Sequence, residues 1–311
     1  MTYLLTAGGI IILMLAGDAL VRGAIGLSLR LGLSATLISL TVVAFGTSAP
    51  ELVISVEAAL KGSPDIALGN VVGSNIANSW LIVGAPAVIV PMVTKDRELR
   101  RSFSLMIGAT LVFVLMAWGG EIGRLYGFIL VVLLAASVVY SYRMAENGSV
   151  DEEVEAEKQT AGWKIASLIL AGMIALPVGA HMLIEGARGI ALQFGLSEAA
   201  IGLTIVALGT SLPELAASLA AAFRGRGDVA LANVLGSNML NLLAVLGITA
   251  MIAPLTISPV FLKVDIPVMI IAALTLAPFL IWNIRLGRRA GITFLVLYAA
   301  FAILALGDGG F

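Results

Sequence analysis

Displaced by 163 residues, the chain lies on itself: Gly23 to Pro91 matches Gly186 to Pro254 without a gap and with about half of the positions identical. Two unrelated segments do not agree so far by chance. The repeat is threaded through apolar stretches of roughly 18 to 28 residues, each long enough to cross the hydrocarbon of a bilayer as a helix. They fall at 3–29, 34–60, 66–91, 102–119, 124–142, 164–194, 198–223, 229–253, 261–283 and 290–307. Five helices, an odd number, separate equivalent points, so the second copy enters the membrane from the opposite side. The expectation is an all-α polytopic membrane protein of ten spans in two inverted-topology repeats of five. The first repeat covers 1–142, a linker 143–163 and the second repeat 164–311. Secondary transporters are often built this way, with their sites at the midplane between the halves.

Composition excludes most other classes. The 311 residues are 60% hydrophobic and only 12% charged, with a mean hydropathy of +1.07, whereas soluble domains are about 25% charged. No cysteine is present, which removes disulfides, thiolate metal sites and thiol nucleophiles. Net charge is near zero and no basic run points to nucleic acid. The first apolar stretch has neither a basic start nor a small-residue cleavage site and reads as a retained helix. Lys and Arg collect on one side of the spans, at Arg30, Lys95 to Arg101, Arg143, Lys158, Lys164, Arg224, Arg226 and Arg285 to Arg289; the other side has Lys61, Arg124 and Lys263. The positive-inside rule then sets both termini outside the cell membrane and the central loop in the cytoplasm. That loop carries the acidic run Asp151, Glu152, Glu153, Glu155 and Glu157, which reads as a solvated linker.

The strongest matches between the repeats are polar. GTSAPEL (Gly46 to Leu52) pairs with GTSLPEL (Gly209 to Leu215), and GNVVGSNIAN (Gly69 to Asn78) with ANVLGSNMLN (Ala232 to Asn241). Polar groups at this depth are costly unless they face the bundle or water. Pro50 and Pro213 lack an amide hydrogen and should break their helices, freeing carbonyls near Ala44 to Gly46 and Ala207 to Gly209. Those carbonyls, the hydroxyls of Thr47, Ser48, Thr210 and Ser211, and the carboxylates of Glu51 and Glu214 are hard oxygen donors. They suit sodium, calcium or magnesium. Two buried like charges repel unless a cation lies between them. Ser74 and Asn78, four apart, share a helix face, as do Ser237 and Asn241, and add neutral oxygens.

Taken singly, each glycine or serine could serve helix packing, each proline a kink and each asparagine interhelical bonding. Repetition at matched spacing favours a site. Asp65 and Asp228 read as helix N-caps, and Pro91 and Pro254 as helix ends. Asn70, Asn75, Asn233 and Asn238 stay open between capping, bonding and lining an ion path. Asp18 and Arg22 read as an i, i+4 pair, and so do their repeat mates His181 and Glu185.

The doubled GTSxPE and GSNxxN motifs, the ten spans and the cytoplasmic loop resemble the sodium/calcium exchangers of the calcium:cation antiporter superfamily in a compact prokaryotic form, over essentially the whole chain. The resemblance implies several sodium sites and one calcium site sharing ligands. Those ligands would be Glu51 and Glu214 at the centre, with Thr47, Ser48, Thr210, Ser211, Ser74, Asn78, Ser237 and the carbonyls of Ala44 and Ala207. It also implies that the first and sixth helices slide across the rest. Some members carry Asp where Asn241 stands, and potassium-dependent members carry further acids. Two carboxylates balance one calcium or two sodium ions, so three sodium ions would make the exchange electrogenic.

The expected function is secondary antiport of sodium against calcium, with no cofactor beyond the transported ions, in a multi-pass plasma-membrane protein that works as a monomer. A proton/calcium antiporter of the same fold is the alternative. A channel fits a single-chain inverted repeat poorly. An intramembrane protease lacks its dyad, because the sole histidine, His181, has no serine partner in sight.

Overall fold

The computed structural model describes residues 1–92, 96–145, 161–194, 207–259 and 261–307, and these are almost entirely helical. In chain order the helices are α1 (Thr2–Leu31), α2 (Ala35–Thr47), α3 (Ala49–Leu60), α4 (Pro64–Ile89), α5 (Arg97–Ala117) and α6 (Arg124–Arg143). Then follow α7 (Gly162–Gln193), α8 (Leu212–Phe223), α9 (Gly227–Ile252), α10 (Phe261–Ile281) and α11 (Arg288–Gly307). Eight of them are long and apolar enough to cross a membrane, and α2 with α3, joined at a 44° bend, makes a ninth. The span expected over 198–223 begins outside the described residues; a helical turn, Ala207–Gly209, and α8 remain of it. The acidic run of the linker also lies outside them.

The two longest helices, α1 and α7, with 30 and 32 residues, pair antiparallel. Gly9 faces Leu183 and Gly179, Gly172 faces Ala16 and Leu20, and Gly23 faces Ile169. Gly172, Gly179 and Gly186 recur every seven residues, and so do their repeat mates Gly9, Ala16 and Gly23. A stripe of small residues lets two helix backbones run close together in a membrane. A side chain at Gly179 would stand 2.9 Å from Ile12 and 3.0 Å from the Leu13 backbone nitrogen.

The pair docks on α8, with Gly17 against Ala216 and with Leu13, Ala16 and Leu20 among Leu212, Ala216 and Ala217. Here one expectation is corrected. Asp18 pairs with Arg224 at the end of α8, at 2.5 Å, and not with Arg22. Asp18 lies on the face of α1 that meets α8, so the partner from across the interface replaces the one a turn away. Because 34% of the Arg224 side chain and 41% of the Asp18 side chain are exposed, Asp18→Asn is expected to cost less than about 1 kcal/mol. Thermal unfolding in detergent measures this; a larger loss would mean that the pair is not an ordinary solvent-screened one.

At the centre stands α9, whose most apolar window is buried throughout, with α4 beside it. Outer helices turn Leu4, Leu15, Val53, Leu115, Val296 and Leu304 outward. A polar interior inside an apolar exterior is what lipid as solvent demands. The helices α4 and α9 end at Ile89 and Ile252, and Val90 and Ala253 are extended. Pro91 and Pro254 impose that on the residue before them, as the sequence suggests.

Asp65 and Asp228 do not cap. The N-cap positions are Ser63 and Arg226, because Pro64 and Gly227 already occupy the first helical position. Both aspartates lie in the first turn, where the helix dipole favours negative charge, and Asp228 takes a two-pronged contact from Arg226 at 3.0 and 2.6 Å. Loops close in pairs. Residues Glu121–Ile122 run antiparallel to Leu255–Thr256, and Met92 bridges Leu286 through bonds of 2.9 and 3.0 Å.

Candidate cation site

The site starts from two interrupted helices. In α2 a wide π turn over Ser39–Val43 precedes Ala44–Thr47, and the chain then bends at Ser48 into α3. Pro50 offers no N–H to Gly46, one turn back. Ser48 N still reaches the Ala44 carbonyl at 2.9 Å, and the next such bond runs from Leu52 N to Ser48 O at 3.3 Å. The Ala44 carbonyl also accepts the Thr47 hydroxyl at 3.2 Å. It is therefore bonded within its own helix and not released, since the proline removes a donor two residues further on. In the second copy Ser211 N bonds Leu208 O at 3.2 Å and Leu215 N bonds Ser211 O at 3.0 Å.

Each half-helix beyond the break carries its glutamate at the third position, Glu51 in α3 and Glu214 in α8. Both side chains have 0% exposure. The copies interlock across the molecule. Ser48 donates to Glu214 Oε1 at 3.0 Å, while Thr47 Oγ1 lies 3.4 Å from both Ser237 Oγ and Asn233 Oδ1.

Along one face of α4 stand Asn70, Ser74 and Asn78, and along α9 Asn233, Ser237 and Asn241, each four residues from the next. Ser74, Asn78, Ser237, Asn241 and Ser211 are all buried, and Thr210 is partly so. A π turn begins at Asn78 and another at Asn241. Such turns widen a helix locally and gather at functional sites; nothing in the sequence announces them. The described part of Ala207 is its backbone, at the start of the turn Ala207–Gly209.

Buried polar atoms normally find a partner. Among the described residues, Glu51 Oε1 and Oε2, Glu214 Oε2 and both amide atoms of Asn78 and of Asn241 make no hydrogen bond to protein. These orphans, like Asn238 Oδ1, belong to the twin motifs, whereas Ser141 Oγ, Thr249 Oγ1 and Asp265 Oδ2 are orphans outside them; carboxylate and amide oxygens are the donors that hard cations take. Among the described residues there is no group of three or more His, Cys, Asp or Glu that could hold a metal, so the formal negative charge here comes from two carboxylates.

Of the asparagines left open by the sequence, Asn75 bonds its own helix at Val71 O, and Asn238 bonds Ser79 of α4 at 3.1 Å. Asn70 and Asn233 reach the main chains of Glu51 and Glu214, together with Ser55 and Ser218. Ser55 and Ser218 are identical repeat mates four residues after the glutamates, and no motif in the sequence marks them. His181 and Glu185 are exposed on α7.

Known proteins resemble this chain over nearly its whole length. A family model described as sodium/calcium exchanger protein matches residues 1–143 and 164–307. The putative antiporter CaxA of Alkalimonas amylolytica is 38% identical over 286 residues, 90% of this chain and 89% of that one. The sodium/calcium exchanger MaX1 of Methanosarcina acetivorans is 31% identical, over 97% of each chain. The sodium-calcium exchanger NCX_Mj, solved in crystals soaked with sodium and calcium, superposes with a TM-score of 0.84 at 30% identity, covering 100% of this chain and 99% of that one. With twin buried glutamates, interlocked motifs and a match over both halves, the chain belongs to the sodium/calcium exchanger family.

Proposed function

We propose that this protein is a secondary antiporter that carries calcium against sodium by alternating access, through ten spans in two inverted repeats. The observation that carries the reading is the buried pair Glu51 and Glu214, three of whose four carboxylate oxygens have no protein partner among the described residues. One calcium or two sodium ions would neutralise them, and both cations accept hard oxygen ligands. The proposed ligands are these two glutamates with Thr47, Ser48, Ser74, Asn78, Thr210, Ser211, Ser237 and Asn241, and the carbonyls of Ala44 and Ala207. Ala44 would give up or share the Thr47 hydroxyl on binding. An empty site holding two carboxylates resists the transition between access states and an occupied one permits it, which prevents leak.

Sodium as the coupling ion draws support from the name of MaX1 and from the sodium-soaked crystals of NCX_Mj. The loop pairings of Glu121 with Thr256 and of Met92 with Leu286 join segments that charge bias assigns to the same side. They support the alternation of the spans, while the placing of both termini outside and of the linker inside rests on charge bias alone. The division into repeats 1–142 and 164–311 and function as a monomer belong to the same reading. The test is calcium uptake into sodium-loaded proteoliposomes with the outside sodium, potassium and proton gradients varied one at a time. Uptake should collapse when the sodium gradient is abolished; uptake that ignores sodium and follows pH would reject sodium coupling.

A further inference from the structure

The cation-holding role does not account for Asn70 and Asn233. Asn70 Nδ2 donates to the Glu51 carbonyl oxygen at 3.1 Å and to Ser55 Oγ at 2.8 Å. Asn233 Nδ2 donates to the Glu214 carbonyl oxygen at 3.4 Å and to Ser218 Oγ at 3.1 Å. The same three-part contact thus forms twice, between residues 163 positions apart, in halves whose other contacts differ. Ser55 and Ser218 are fully buried, so neither hydroxyl has water to turn to.

The amide nitrogen of asparagine has two hydrogens and no lone pair to offer a cation. Here one hydrogen goes to the glutamate's main-chain oxygen and the other to the hydroxyl one turn further along the same helix. Both acceptors belong to the half-helix that starts at the break. Because α3 bends away from α2 at Ser48, the first turn of α3 lacks the continuous ladder that would otherwise fix it. Its position depends on lateral contacts. The bond from Asn70 falls on Glu51's own backbone and leaves both carboxylate oxygens free. Asn70 is also one turn from Ser74 and two from Asn78 on a single helix face, so this bond sets how far the carboxylate stands from those oxygens. Helix-to-helix bonding alone would be equally well served anywhere along α3 and α4.

We propose that Asn70 with Ser55, and Asn233 with Ser218, are positioning residues: clamps that hold each glutamate at a fixed distance from the Ser and Asn ligands of the neighbouring helix. In the second half the clamp does more. Asn233 Oδ1 also lies 3.4 Å from Thr47 Oγ1, within reach of that hydroxyl's one hydrogen when it turns from the Ala44 carbonyl, so the clamp on the glutamate of one repeat borders the hydroxyl of the other. This rests on the cation-site reading given under Proposed function. Groups that orient metal ligands typically change metal affinity about 10- to 100-fold when lost.

The experiment compares wild type with Asn70→Ala, Asn233→Ala, Ser55→Ala and Ser218→Ala, each taken from the monodisperse peak in detergent. It reads calcium-45 binding without any gradient, then the half-saturating calcium and the maximal rate in proteoliposomes. Each asparagine variant should raise half-saturating calcium about 10-fold or more while the maximal rate per folded protein falls less. Each serine variant should give a smaller shift in the same direction. If the folded asparagine variants bind calcium as wild type does, the clamp is wrong and the cation site stands. Should an asparagine variant not fold, the serine variants decide, and wild-type half-saturation in both overturns the proposal. Wild type that binds no calcium overturns the site reading and the clamp with it.

Discussion

Glu51→Gln and Glu214→Gln should each abolish calcium exchange while leaving the protein folded. Glutamine keeps the shape and one oxygen but removes one of the two negative charges that face a divalent ion in a site with 0% exposure. Leaving a buried charge uncompensated costs about 3 to 5 kcal/mol, which is a factor of about 100 or more in affinity. A second readout separates loss of the site from loss of the fold. Calcium at 100 times its dissociation constant should stabilise wild type by about 2.7 kcal/mol and either variant by less than about 0.5 kcal/mol. Without calcium the variants should unfold no earlier than wild type, because each removes half of a like-charge pair. The two glutamates are not equivalent in the structure. Glu214 Oε1 accepts the Ser48 hydroxyl, whereas both carboxylate oxygens of Glu51 make no bond to the described protein. Ser48→Ala should therefore weaken binding less than either glutamine variant. Exchange at the wild-type rate in either glutamine variant would refute the central place given to the pair.

How much of this was legible from residue types is uneven, for physical reasons. Apolar length and the lack of charge report burial in lipid directly, so the helices were readable, and so were the stops at Pro91 and Pro254, which rest on the geometry of one residue. The carboxylates stand out because a charge in hydrocarbon has few structural uses, and the Ser and Asn of the motifs stand out only because they recur at matched spacing in both repeats. What failed depended on contacts from far along the chain. Asp18 has an arginine four residues away and another 206 away; only the fold decides that α1 turns it towards α8 and Arg224. Proline removes a known donor, but which carbonyl goes free depends on where the bend falls, and at Ser48 it leaves Ala44 bonded. The π turns at Ser39, Asn78 and Asn241 carry no local signature. Ser55 and Ser218 were visible as repeated residues, yet a serine in a membrane helix has a ready packing role, and only the amides opposite them give them another.

Gly236→Ala is the second change with a large expected effect. A methyl group at Gly236 would run into the Leu40 carbonyl oxygen and stand 2.7 Å from Ala44 Cβ. The obstacles are the backbone of the π turn in α2 and the residue that follows it, both buried, so they cannot swing away as the tip of a long side chain could. The same contact is held by Ser39, whose hydroxyl bonds Val229 O at 2.7 Å. Pushing α2 away from α9 would part Thr47 from Ser237 and Ser48 from Glu214. Overpacking of this kind costs about 1 to 3 kcal/mol, and a ligand displaced by 1 Å can cost about 100-fold in rate. Gly236→Ala should thus lower both the unfolding temperature and calcium affinity. Normal exchange in Gly236→Ala would mean that the contact between α2 and α9 does not set the site.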